Sequence, residues 1–324
     1  LAPTQMQSAM LINNQQISFN VPPFPGTVPP PFIYDFRYDI QGYEAVGTAP
    51  NADATLTLPP GVGGSSDWSP ALPPELLNLD PQPIFGSDIL VVRYGLPGEM
   101  NITGGFTTGN PANPVIAISN GVIPDSGLTF AGVNQVGVPF MAASCAGNTQ
   151  GLVFISSRII ETANQMTVIG DNTVNWPVLA AEGLNTTTEG GSTLTRLEFV
   201  AYYVGLNANN IPSLYRVSFG APAGGAVLGQ RLAPLITEEM VEGIETLQIS
   251  YGFELGPPAP AGQPQSASTL STVVDAYTTA DEINNGTGAA AQLLGRHVIE
   301  RWRRVVSVRI GVLARSNSRI SGEG

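Results

Sequence analysis

Two stretches of the chain alternate apolar and polar residues with the period of two that a half-buried strand requires. In the first, Leu247, Ile249, Tyr251 and Phe253 alternate with Gln248, Ser250, Gly252 and Glu254. In the second, about 304 to 315, Val306, Val308, Ile310, Val312 and Ala314 take one face, and Ser307, Arg309, Gly311, Leu313 and Arg315 the other. Further upstream, residues 196–203 set Leu197, Phe199, Ala201 and Tyr203 against Arg196, Glu198, Val200 and Tyr202. Residues 213–219 follow after a polar loop from Gly205 to Pro212, so the two runs predict an antiparallel hairpin. Other β-rich runs stand at 87–94, between Gly86 and Gly95, and at 115–119, 152–157 and 165–169.

Helical signals are few. Thr237 is placed to cap a short helix with Glu238 and Glu239 in its first turn and Gly243 at its end. A second helix is expected within 287–302. From Phe32 to Pro83 the pattern is irregular, with turns marked by Asn51, Pro59-Pro60, Gly63-Gly64 and Pro73-Pro74. Aromatic residues are spread through it at Tyr34, Phe36, Tyr38, Tyr43 and Trp68. Packed loops with short edge strands are expected there. Residues 1–20 are rich in Gln and Asn, and the proline-rich run at 21–31 must be extended, which predicts a rigid surface strap. A Pro/Gly/Ser loop is expected at 256–271. No internal repeat stands out, and no linker forces a division. The expected fold is one α+β, β-rich domain over 1–324, with antiparallel sheets and a few short helices.

Composition agrees with strands and turns. Charged residues make up 12% of the chain, against about 25% in an average domain, and there are 37 Gly and 28 Pro. A formal charge of −12 argues against the whole chain coating nucleic acid or an anionic membrane. All 13 basic residues are arginine, which excludes lysine-based chemistry. Seven of them fall within 296–319, where Glu300 is the lone acid. Two readings of that segment stay open. It pairs with acidic surface of its own fold, or Arg301, Arg303, Arg304, Arg309 and Arg315 form a contact face for DNA or an acidic glycan.

Reactive chemistry is sparse. The lone Cys145 excludes a disulfide within this chain and a cysteine-based metal site. The lone His297 has no Gly-x-Ser-x-Gly elbow to serve, and the His-Glu-x-x-His pattern is absent. Residues 281–286 resemble a calcium loop, but Ile283 stands at a ligand position and no glutamate occupies the twelfth place. Paired carboxylates suited to glycoside hydrolysis are a three-dimensional property that spacing alone leaves open. The expectation is therefore no catalytic residue, no metal and no cofactor. Three Asn-x-Thr sites, at Asn101, Asn185 and Asn285, are expected by chance in so Asn- and Thr-rich a chain. No run of 18 apolar residues occurs, and Leu1 is not an initiator residue, so a trimmed fragment is expected.

A series of short motifs runs in order from Ile40-Gln-Gly-Tyr-Glu-Ala45 through Trp68–Pro73, Gly86–Arg93, Ser144-Cys145, Tyr202–Val204 and Leu214–Arg216. It continues through Glu239–Ile244 and Leu247–Tyr251 to Trp302–Ser316. With these, the chain resembles PilW-type minor pilins of type IV pilus assembly from about Tyr34 to Ser316. The N-terminal methylation motif and long apolar helix of such pilins are not in this sequence. The resemblance implies a globular head whose helix would anchor it in the inner membrane of a Gram-negative bacterium and later pack into the filament. The head would then contact other minor pilins and the major pilin, prime assembly, and stay at the pilus tip, often beneath an adhesin. No covalent chemistry is implied. Structural roles are expected for the motif residues. Gly42, Tyr43, Glu44, Glu242 and Gly243 would form turns and caps, and Tyr251 and Trp302 core aromatics. Arg93, Arg216 and Arg309 would be strand residues paired with acids, and Asp88 belongs to the Gly86–Arg93 motif.

Overall fold

The computed structural model describes residues 32–36, 38–49, 60–96, 100–104, 115–119, 138–144, 151–162, 165–170, 192–220, 235–255, 273–293 and 298–315. The proline-rich strap, Cys145, the 256–271 loop and His297 lie outside them. In chain order the strands begin with β1 (Ile40–Ala45), β2 (Trp68–Ser69), β3 (Ile89–Gly95), β4 (Met100–Gly104), β5 (Val115–Ser119), β6 (Pro139–Ser144) and β7 (Gly151–Thr162). They continue with β8 (Gln165–Gly170), β9 (Ser192–Leu206), β10 (Pro212–Phe219), β11 (Leu235–Glu242), β12 (Ile244–Phe253), β13 (Ala276–Thr278) and β14 (Val305–Ala314). The helices are short: α1 (Pro74–Leu77), α2 (Ala280–Asn285) and α3 (Val298–Trp302). The described residues fall into two compact units, one within 1–37, 93–199 and 218–236, the other within 38–92, 200–217 and 237–324.

In the first unit β4 pairs with β5, β5 with β8, β8 with β7, β7 with β6, β6 with β9, and β9 with β4, all antiparallel. The order returns to its starting strand. Each of these strands therefore has at least two hydrogen-bonded neighbours, β9 pairing also with β3 and β10, an arrangement that removes free edges. Beside it, the Arg93 guanidinium lies over the rings of Phe32 and Phe199 at 4.7 and 5.4 Å and donates to the Phe32 carbonyl at 2.9 Å. Tyr34 stacks on Phe219 at 5.3 Å. In β9, Arg196 and Glu198 stand on the face opposite Leu197 and Phe199. Both are buried, with 3.3 Å between Arg196 Nη2 and Glu198 Oε2. Glu198 Oε1 accepts from the amides of Phe199 and Phe219. Paired charge and satisfied oxygens are what make such burial tolerable.

In the second unit β12 is the centre of an antiparallel sheet ordered β13-β12-β14. Leu247, Ile249, Tyr251 and Phe253 are all buried, as their alternation predicts. Ile249, Tyr251 and Phe253 share a core with Leu90, Ile283, Trp302 and Val305. Strand β1 pairs with β3 from Ile40↔Val92 to Tyr43↔Ile89, and with β2 at Glu44↔Ser69 and Ala45↔Trp68. The hairpin of β9 and β10 is present. Its loop is shaped by Asn207, whose Oδ1 accepts from the amides of Asn209 and Ile211.

Three expectations are corrected. Residues 237–243 form no helix, because 235–242 is strand β11, and Gly243, at φ 84°, makes the turn into β12. The β-branched Ile236, Thr237 and Val241 favour the strand over the cap signal. Of the helix expected within 287–302, the described residues form a 3-10 segment, Gly288–Leu293, and α3, while the residues just before it form α2. Last, Gly42, Tyr43 and Glu44 lie within β1 and not at a turn. A register irregularity between Gly252 and Phe253 also changes the facing along β14: Val305, opposite Phe253, is the residue that enters the core.

Candidate functional site

Several of the motif residues meet in the second unit. The turn Gly86-Ser87-Asp88 gives Asp88 two backbone partners. Oδ1 accepts from the Ala45 amide at 2.9 Å and Oδ2 from the Ile249 amide at 2.7 Å, so one buried carboxylate ties β1 to β12. The same turn receives Trp68 Nε1 on the Ser87 carbonyl at 2.8 Å, and Ser87 Oγ accepts from the Leu247 amide at 3.0 Å. Gly42 leaves room for Tyr251, since a Cβ there would overlap the Tyr251 hydroxyl. Trp302 meets Tyr251 edge to face at 5.0 Å and donates from Nε1 to Asn284 Oδ1 at 3.2 Å. These contacts explain why the short motifs occur together: each one places a neighbour's backbone or ring.

Beside this junction lies a cleft of about 750 Å³ lined by residues of β1, β2, β12, β13, α2 and β14, among others. Three carboxylates line it: Glu44, Asp281 and Glu282. Helix α2 presents the last two because Thr279 caps it, Oγ1 accepting from the Glu282 amide while Glu282 Oε2 accepts from the Thr279 amide. Gly286, at φ 65°, closes the helix. Ser69 Oγ donates to Asp281 Oδ1, which also accepts from Asn285 Nδ2 at 2.7 Å. The region that resembles a calcium loop is thus a capped helix.

Glu44 is 5% exposed and its Oε2 has no hydrogen-bond partner. Burial, with the charges of Asp88, Asp281 and Glu282, pushes its carboxyl up to about 8. Burial likewise raises Asp88 to about 6, opposed by the hydrogen bonds from the Ala45 and Ile249 amides and from Thr48. Across the cleft the Arg309 guanidinium lies 3.8 Å over the Tyr277 ring. Strand register accounts for this: Arg309 stands opposite Ser250 and Tyr277 opposite Gly252, neighbours along β12.

This geometry holds buried carboxylates and hydroxyl groups that hydrogen-bond to acids of α2. Among the described residues no group of three or more His, Cys, Asp or Glu is arranged to hold a metal ion. No helix among them is long and apolar enough to cross a membrane. Residues 201–323 match the family model for Type IV Pilus-assembly protein W. In this part the chain is similar to that family. No curated protein and no solved structure matches the chain. The match supports a role connected with type IV pilus assembly, and the family is one of assembly components and not of enzymes.

The matched segment contains the arginine-rich run, and the structure places its members separately. Arg301 is buried, donating from Nε to the Ile283 carbonyl at 2.6 Å and from Nη2 to the Asn284 carbonyl, near the C-terminal end of α2. Arg304, also buried, donates to the Leu255 carbonyl at 3.0 Å. Arg303 is half-buried, and burial lowers its guanidinium below the ordinary value, with Asp39 and Glu300 acting against the shift. Arg315 pairs with Glu245 at 2.9 Å and Arg216 with Glu238 at 3.8 Å. Glu242, last residue of β11, is exposed.

The segment also ends on an apolar edge. On β14, which among the described residues pairs with β12 alone, Ile310, Val312 and Leu313 are 52%, 54% and 50% exposed. Sequence reasoning missed the cleft acids Asp281 and Glu282 as a site. The Thr279-x-x-Glu282 spacing is the signal that could have placed them.

Proposed function

We propose that the chain is the globular head of a minor pilin, taking part in the priming of type IV pilus assembly and in the tip complex. The match over 201–323 carries this reading. Strand β14 supports it, because three large apolar side chains about half exposed on a strand that pairs on one side among the described residues are suited to docking against another protein. In this reading β14 packs on a sister minor pilin, and Asp88, Tyr251 and Trp302 hold the sheet that presents it. Recovery of minor pilins by the immobilised chain from a mixture of the host's purified pilin heads tests it. The expected result is retention of at least one minor pilin. Retention of none, with the folded state verified by circular dichroism, overturns it.

A further inference from the structure

Strand β14 leaves apolar side chains uncovered on both of its faces. Alternation sets Ile310, Val312 and Ala314 on one face and Arg309, Gly311, Leu313 and Arg315 on the other, and all seven residues are exposed. A partner lying flat against the sheet would reach one of these faces only. A strand added along the edge brings side chains beside both. Among the described residues β14 pairs with β12 alone, and from Ser307 to Ala314 each of its residues has a partner there, so this part of the strand is free of bulges. Between Arg309 and Arg315 it also carries no proline and no charge, the other devices that keep an edge from pairing.

The same run is complementary to itself. When two copies pair antiparallel about Val312, Ile310 stands opposite Ala314 of the partner subunit and Leu313 opposite the partner's Gly311, a large side chain beside a small one each time. Val312 then meets its own counterpart. Within the chain, Ile310 lies opposite Ile249 and Val312 opposite Leu247, both of them buried, so a second copy prolongs apolar rows that already cross the sheet. This register also sets Arg309 opposite the partner's Arg315. Each guanidinium is engaged within its own chain, Arg309 over the Tyr277 ring at 3.8 Å and Arg315 with Glu245 at 2.9 Å.

We propose that β14 pairs edge to edge with β14 of a second copy of this chain, antiparallel about Val312, joining the two β13-β12-β14 sheets into one. The pairing uses the edge of both copies, so it closes at two. It occupies the surface that the pilus reading gives to a sister pilin, but it does not depend on that reading.

Sedimentation equilibrium on the full chain, from about 1 to about 200 µM, tests this over the range of weak to moderate association. The expected result is a reversible rise from 33.8 kDa to twice that mass and no further. Added salt is expected to strengthen the dimer, since it screens the facing arginines and the charge of −12 on each copy. Val312→Lys and Val312→Glu, at an exposed position, are each expected to weaken it about fivefold or more, because the axis sets the new charge opposite its own counterpart. An equimolar mixture of the two variants is expected to restore it. A chain that stays monomeric throughout, association that continues past two copies, single variants that dimerise as the wild type does, or a mixture that stays monomeric overturns the proposal. A monomeric chain that retains a sister pilin overturns this proposal alone and leaves the pilus reading intact.

Discussion

Replacing Glu44 with glutamine should flatten the dependence of stability on pH. The native carboxyl titrates near 8 where an ordinary glutamate titrates at 4.5, because it is buried and three acids lie nearby. Between those values the folded chain binds a proton that the unfolded chain has lost, so stability falls as pH rises and levels off above about 8. For one proton, each pH unit crossed in that window changes stability by about 1.4 kcal/mol. The whole displacement is thus worth about 5 kcal/mol, and the part between pH 6 and 8 about 3 kcal/mol. Asp88, raised to about 6, contributes a fall of the same sign at lower pH, which makes the upper window the cleaner one. Glutamine does not titrate and preserves the side-chain outline. Urea titrations followed by tryptophan fluorescence, at steps from about pH 6 to about pH 9, should show the wild-type midpoint falling by an amount equivalent to about 3 kcal/mol while Glu44→Gln loses little. Parallel curves for the two proteins, or a wild type that gains stability across that window, would refute the reasoning.

Other consequences concern the junction and the edge. Gly42→Ala should lower the urea midpoint sharply, since the new methyl overlaps the Tyr251 hydroxyl and either β1 or the ring must move, at about 1–3 kcal/mol for overpacking. Trp302→Ala, which empties a fully buried site against Tyr251, should cost about 3–5 kcal/mol in the same assay. Asp88→Asn turns one acceptor oxygen into a donor facing the Ala45 or Ile249 amide, and about 1–3 kcal/mol of stability should be lost. Ile310→Lys and Val312→Lys, at exposed positions, should change stability by no more than about 0.5 kcal/mol yet reduce retention of partner pilins in the pull-down. Unchanged retention would remove β14 from the interface.

Strand positions in the second half of the chain were legible because period-two alternation is a local property. Leu247 to Phe253 went into the core on the expected face. Three things were not local. Arg196 and Glu198 look like the polar face of a half-buried strand, but they pair with one another, and Glu198 also accepts from the amides of Phe199 and Phe219, the latter on a different strand. The segment 237–243 carries a helix cap and two acids just after it, Glu238 and Glu239, but β-branched residues and pairing with β10 override them. Val305 rather than Val306 enters the core, because the irregularity opposite Gly252 and Phe253 resets the register.

The candidate site was legible only in parts. Gly42, Glu44, Asp88, Tyr251 and Trp302 stood out as motif residues, and the fold gathers them from segments up to 260 positions apart. Their roles were hidden, because an Asp that binds two backbone amides and a Glu that binds none are identical as letters to any other acid. Asp281 and Glu282 were obscured by comparison with a calcium loop, when the informative neighbour was Thr279, one residue before the helix.

The central proposal is that this chain, similar to the PilW family over 201–323, serves type IV pilus assembly, and deletion of its gene in the native host followed by quantification of surface pili tests that most directly. Loss of most surface pili, restored by the wild-type gene but poorly by a gene carrying Ile310→Lys and Val312→Lys, is the predicted result. Undiminished pili in the deletion strain would contradict it.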